Sequence, residues 1–175
     1  MSRKFTGKRA MGAIGSPVVL VTAAHDGKNG IMTANMIAGL SFSPPLVGVS
    51  MGRHSFTRSL IDYSGEFAVH IISPDQLLLA KKIGSTTGRK IDKFKEFAIE
   101  TFKGESVSCP LVKDAHTILE CKIDRYVDLG RQGLYVGLVV AYHAANGASP
   151  LYLYHGYYYS IGEQLGSFYA GYGQT

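Results

Sequence analysis

Residues 17–35 read PVVLVTAAHDGKNGIMTAN, and this stretch decides the fold. Residues 17–23 are β-branched and apolar, as in a strand buried on both faces. Residues 25–30, HDGKNG, are turn chemistry: Asp-Gly and Asn-Gly pairs accept left-handed backbone. Residues 29–35, NGIMTAN, resume the chain with small side chains. The pattern is two strands about a tight turn, which points to an antiparallel, β-rich architecture.

The rest of the chain extends that pattern. Residues 37–42 and 46–51 suit strands, punctuated by Pro44-Pro45, since proline cannot donate into a ladder. In residues 55–63, Phe56, Leu60 and Tyr63 share one helical face and Ser55 is a candidate N-cap. Residues 66–72 suit a strand with Phe67, Val69 and Ile71 on one side. Ser73, Pro74 and Gln76 spell a capping box with proline at the first helical position, and Gly84 offers a stop. A polar loop, GSTTGRK, spans residues 84–90, and 91–97 can form a further helical turn. Residues 116–127 and 134–142 are the longest strand candidates, with shorter ones at 151–154 and 157–161. The tail beyond Gly162 is rich in glycine and tyrosine and is expected on the surface or on a partner subunit.

Many strands with few short helices predict a mainly β fold with short helices, a barrel or sandwich that closes its edges. Strict strand–helix alternation is missing, no G-x-G-x-x-G opens a helix after a strand, and no Walker A sequence occurs. A length of 175 residues suits a single domain over 1–175, with 1–10 and 163–175 as extensions.

Charged residues make up only 18% and hydrophobic residues 46%, so part of the surface is expected to meet another subunit. The formal charge of +5 suits a small anionic ligand or nucleic acid. Cys109 and Cys121 form no C-x-x-C pair and read as buried free thiols of a reducing cytoplasm. No apolar run nears the roughly 18 residues of a membrane span, so no membrane partner and a cytoplasmic location are expected. The six histidines make no metal spacing and no serine sits in G-x-S-x-G, leaving metal-enzyme and hydrolase readings without support.

Three segments carry candidate chemistry. Met32, Thr33, Ala34 and Asn35 are small or slender enough for backbone groups to approach a flat ligand; packing beneath a neighbouring strand explains them as well. Residues 50–57, SMGRHSFT, run from a strand to a helix start, where free N–H groups, the Ser55 and Thr57 hydroxyls and Arg53 attract phosphate. Simple N-capping with a solvated Arg53 is the plainer alternative. Residues 81–95 hold Lys81, Lys82, Arg89, Lys90, Lys93 and Lys95 against Asp92 alone, a phosphate contact or a solvated basic face. A fourth feature is the cluster of Tyr152, Tyr154, Tyr157, Tyr158, Tyr159, Tyr169 and Tyr172, suited to a half-buried strand and a subunit contact.

In order and spacing these segments resemble the flavin reductase-like family. The carrying residues are residues 17–22, 29–35, 41–45 (SFSPP), 65–70 (GEFAVH), Thr87-Gly88-Arg89, Asp92-Lys93-Phe94, Leu119-Glu120-Cys121, Gly137 with Val139, and Pro150-Leu151 before Tyr158-Tyr159. The resemblance implies an FMN-binding split β-barrel with Greek-key-like order, and a homodimer with flavin at the subunit interface. It implies that Met32, Thr33, Ala34, Asn35, Ser50 and Met51 line the ring and ribityl chain. Ser55, Thr57 and Lys93 are then the implied phosphate contacts. The implied activity is NAD(P)H-dependent reduction of flavin or ferric iron through bound FMN, with NADH or NADPH as co-substrate and small-molecule donor and acceptor as partners. The chain departs from the family at Gly130-Arg131-Gln132, where many relatives carry Asp-His or Ser-His after the glycine. That histidine is associated with nicotinamide handling, so a flavoredoxin-like electron carrier is the alternative. A nucleic-acid-binding barrel, predicted to be colourless, and a relative using haem or a deazaflavin are the remote ones.

Overall fold

The computed structural model describes residues 7–144 and 149–165. After a short helix α1 (Lys8–Met11) come β1 (Ser16–Pro17), β2 (Val19–His25), β3 (Lys28–Ala34), β4 (Ile37–Phe42) and β5 (Pro45–Gly52). Helix α2 (Phe56–Ser64) leads to β6 (Glu66–Ile71). A 3-10 turn (Pro74–Gln76) runs into α3 (Leu77–Ser85), followed by α4 (Lys93–Glu96), β7 (Thr101–Lys103) and β8 (Pro110–Val112). The chain then forms β9 (Thr117–Leu129), β10 (Gln132–Ala144), β11 (Leu151–Tyr154) and β12 (Tyr157–Ser160). The architecture is mostly β with few short helices, as expected.

Seven strands form one antiparallel sheet in the order β3-β2-β6-β9-β10-β5-β4. The β2–β3 hairpin pairs Val19 with Ala34 and His25 with Lys28, so the turn falls at Asp26-Gly27, both at positive φ. Its two edge strands, β3 and β4, are joined directly through Asn35-Met36. The Ser50 N–H donates to the Met36 carbonyl at 2.8 Å, which extends the β4–β5 pairing back to the residues that leave β3. No ladder joins β3 to β5, so the barrel is split along the free edge of β3. A second sheet, β1-β11-β12, lies beside this split and is tied in by the Ser16 hydroxyl on the Asn35 carbonyl.

Two apolar clusters fill the two sides of the β2–β3–β6 wall. Val19, Val21, Ala34, Val49, Met51, Leu60, Ile61, Phe67, Val69 and Tyr135 fill the barrel beneath α2. Val18, Leu20, Ile31, Ile72, Ala80, Ile83 and Leu151 pack beneath α3. Strand β6 is therefore covered on both faces: Phe67 and Val69 enter the barrel while Ala68 joins a third cluster with Cys109, Leu111 and Ile118. Burial pushes the Cys109 and Cys121 thiols up to about 11 and about 12, so both stay protonated at neutral pH. Loop residues 105–107 are held by three backbone N–H donors on the buried Glu120 carboxylate, which also meets His143 Nε2 at 2.6 Å.

Local signals were accurate at the caps. Ser55 accepts the Arg58 N–H, and the Ser73/Gln76 capping box is present. Gly84 does not end its helix; α3 runs on to Ser85. Gly84 packs on Thr33, where a Cβ would make an ordinary contact at 3.4 Å. Of the tyrosines, Tyr169 and Tyr172 fall outside the described residues.

His70 sits at the centre of β6, wholly buried. Its Nε2 accepts the Val112 N–H at 3.0 Å, so Nδ1 keeps the proton and donates to the Leu20 carbonyl at 3.2 Å. Burial lowers its pKa from 6.5 to about 4. Between those values the unfolded chain binds a proton that the folded chain refuses, so stability falls with falling pH. The loss accumulates from about pH 6.5 down to about pH 4 and amounts to about 3 kcal/mol. Urea unfolding across that range checks it, and a His70→Gln variant should lose this part of the slope.

Candidate functional site

Strand β3 has a neighbour on one edge and a helix on each face. Its outer edge is open. Even-numbered residues face the barrel: Met32 Sδ lies 3.1 Å from the Ser55 hydroxyl, and Ala34 is in the core. Odd-numbered residues face α3: Ile31 joins the core there, and the Thr33 hydroxyl donates to the Ala80 carbonyl at 2.6 Å. Gly30 lets α2 approach. A Cβ on it would lie 2.9 Å from Leu60 Cδ1 and 3.0 Å from Thr57 Cα.

The open edge is stiffened by an ammonium. Lys93 Nζ donates to the Ile31 carbonyl at 3.1 Å and to the Ile83 carbonyl at 2.7 Å. Antiparallel alternation puts the backbone N–H and C=O of Thr33 on the same side as those of Ile31, away from β2. These groups present a donor and an acceptor along the split. Beside them stand the start of α2 and the polar loop of residues 85–92, which touch each other: a Cβ on Gly88 would lie 2.7 Å from the Phe56 ring.

The three candidate segments thus meet at one place. Met32, Thr33, Asn35, Ser50 and Ser55 are half-buried around it. Asn35 contributes its carbonyl to Ser16 and leaves its side chain half-exposed. Three of the expected residues are more buried than the rest. Met51 is fully buried, because it pairs with Gly133 in a register that turns its side chain into the barrel, so only its backbone can face a ring. Thr57 is buried against Gly30, so its hydroxyl packs on β3 rather than facing solvent. Lys93 is 6% exposed, and burial lowers its pKa. Two of its three donors are committed to carbonyls, so it braces the edge of β3 and keeps one donor. The exposed cations on that side are Arg89 and Lys90.

Sequence reasoning missed a second cluster on the other flank of α2. Arg58 is buried, with Nε 2.6 Å from the Tyr135 hydroxyl and Nη2 3.0 Å from the Tyr126 hydroxyl. Tyr135 also donates to Asp62, and Arg58 Nε lies 3.6 Å from the same carboxylate. Burial, with Asp62 as acceptor, pushes the Tyr135 phenol up. This cluster welds α2 to the β9–β10 hairpin. The i,i+4 spacing of Arg58 and Asp62 was the one available signal; the tyrosines come from strands about 70 residues away.

A groove of about 790 Å³ lies elsewhere and is apolar. It runs along β4, β5 and β10 past Phe42, Leu46, Val139 and Tyr142, and contains none of the residues expected at the site. Among the described residues no cluster of three or more metal-ligating side chains occurs, and no helix is long and apolar enough to cross a membrane.

The model of the flavin reductase like domain matches residues 11–162. The chain belongs to this family. It is 30% identical over 147 residues to an NADH:riboflavin 5'-phosphate oxidoreductase of Streptomyces pristinaespiralis, covering 83% of this chain and 81% of that one. Among solved structures, a flavin reductase in its native state shares 27% identity with a TM-score of 0.76, over 89% of this chain and 96% of that one. A flavoredoxin from Methanosarcina acetivorans shares the fold, with a TM-score of 0.85 at 22% identity over 98% and 97% of the two chains. The family membership makes the open edge of β3 the place to test for flavin.

Replacing Lys93 by Met separates brace from phosphate grip. Two buried carbonyls lose their donor, at about 1–3 kcal/mol each. Chemical denaturation should show a loss of about 2–6 kcal/mol. Unchanged stability with weakened FMN binding would instead restore the phosphate role.

Proposed function

We propose that this chain is an FMN-binding, NAD(P)H-dependent flavin reductase that works as a homodimer. The observation that carries the reading is the convergence of residues 30–36, 50–57 and 85–92 on the free edge of β3, in a member of the flavin reductase family. A bound flavin supplies the redox chemistry, accepting a hydride from reduced nicotinamide. The chain supplies position. The free N–H and C=O of Thr33 read the polar edge of the ring, and Met32 gives it an apolar, polarisable wall. The first turn of α2, capped by Ser55, receives the phosphate with Arg89 and Lys90 adding charge. Asn35 and Ser50 supply polar groups along the ribityl chain.

The dimer is supported by apolar surface on another face of the barrel. Phe42 is 91% exposed, and Val140 and Tyr142 are exposed around the same groove. A second copy covering this face removes that surface from water. The buried, protonated thiols Cys109 and Cys121 suit a cytoplasmic protein, and one domain spanning the chain suffices for the function.

A flavoredoxin-like carrier is the second reading, favoured by Arg131-Gln132 at the β9–β10 turn in place of a histidine. Anaerobic addition of NADH and of NADPH to the FMN-loaded protein distinguishes the two. A reductase bleaches the flavin absorbance with at least one of them and turns over with free flavin. Loss of colour only with dithionite or a reduced protein partner assigns the carrier role. A protein that binds neither FMN nor FAD contradicts both readings.

A further inference from the structure

The turn between β5 and α2 touches two neighbours. Ser55 reaches back to Met32 on β3, while Arg53 reaches across to the tip of the β9–β10 hairpin. The Arg53 backbone N–H donates to the Arg131 carbonyl at 3.1 Å, and Gln132 pairs with Gly52, so the backbones of the two arginines are held next to each other where the hairpin tip meets the 52–55 turn. The tip itself is rigid: Gly130 turns at φ +77°, and its N–H donates to Asp128 Oδ1 at 2.8 Å.

The charges there do not cancel. Asp128 is the acid within reach, and both its oxygens are occupied, Oδ1 by Gly130 N–H and Oδ2 by Arg53 Nη2 at 2.7 Å. These bonds hold its carboxyl below the usual range, so it remains a carboxylate. Arg131 is exposed, and its guanidinium enters none of the ion pairs formed among the described residues. Behind them, buried Arg58 has Nη1 without an acceptor among the described residues and faces Asp62. Three guanidinium groups thus stand against two carboxylates. The Arg53–Asp128 pair is half-exposed on both sides, so it contributes little and Arg53 can turn to a stronger anion.

We propose that Arg131 and Arg53 form a clamp for the 2′-phosphate of a nicotinamide dinucleotide, making NADPH the preferred donor. Paired guanidinium forks match the oxygens of a phosphate monoester and gain nothing from the 2′-hydroxyl of NADH. The location fits, since the clamp shares the 52–55 turn with the flavin phosphate site but faces the hairpin rather than β3. This assignment rests on the flavin reductase reading above, but its binding test does not need turnover.

The test titrates the FMN-loaded protein with 2′,5′-ADP and with 5′-AMP by calorimetry, then compares kcat/KM for NADPH and NADH. The expected result is at least about tenfold tighter binding of 2′,5′-ADP, lost in Arg131→Ala and retained in part in Arg131→Lys. Asp128→Asn, which keeps the acceptor for Gly130 but releases Arg53, should tighten 2′,5′-ADP further. The NADPH/NADH specificity ratio should fall by a similar factor in Arg131→Ala, through KM for NADPH. Equal affinity for the two nucleotides, or discrimination unaffected by Arg131→Ala, overturns the proposal. So does an Arg131→Ala variant whose main defect is FMN binding, which assigns the arginine to the flavin. If 2′,5′-ADP is discriminated but neither dinucleotide is oxidised, the clamp stands and the reductase reading fails.

Discussion

A β-strand edge left open inside a protein must be held straight without a partner strand, and Lys93 does this for β3. Its ammonium takes the Ile31 carbonyl that a neighbouring strand would otherwise satisfy, and ties it to the end of α3 through Ile83. The arrangement is costly to build, because a lysine must be buried. What it secures is a run of backbone with one side unpaired and both faces packed. Thr33 on Ala80 fixes one face, and Gly30 beneath Thr57 and Leu60 fixes the other. The split of the barrel lies along this edge, since the chain leaves β3 through Asn35-Met36 and pairs next with β5, not back onto β3.

Helix α2 is the second dependent part. Its N-terminus is presented to the split only because its body is anchored twice, by Leu60 and Ile61 in the barrel and by Arg58 between Tyr126 and Tyr135. A helix whose first turn must keep free N–H groups for a ligand needs its position fixed from behind. The same anchoring places the β9–β10 tip beside Arg53. Flavin and nicotinamide donor are thereby proposed to meet at one turn, between residues 52 and 55.

The fold was legible because it is written locally. The β-branched run of residues 17–23, the Asp-Gly turn and the capping residues Ser55 and Ser73 each specify their own element. The convergence of three segments was legible only through the resemblance, since nothing local says that residues 31, 83 and 93 touch. The bracing by Lys93 was not legible for a physical reason: in sequence, a lysine in a basic run looks solvated, and its burial is decided by two carbonyls supplied from 10 and 62 residues away. The burial of the Met51 side chain was not legible either, because one residue of register decides which face it takes. The Arg58–Tyr126–Tyr135 cluster had no sequence signature beyond Asp62 four residues on.

The central claim is that the free edge of β3, the start of α2 and the loop after α3 form one flavin cradle. Hydrogen–deuterium exchange with and without saturating FMN tests it most directly. The account predicts slowed exchange concentrated in residues 30–36, 50–57 and 85–92, with the hairpin tip at 128–132 following weakly. Protection confined to other segments, such as residues 104–116, or no protection despite bound FMN, would contradict it.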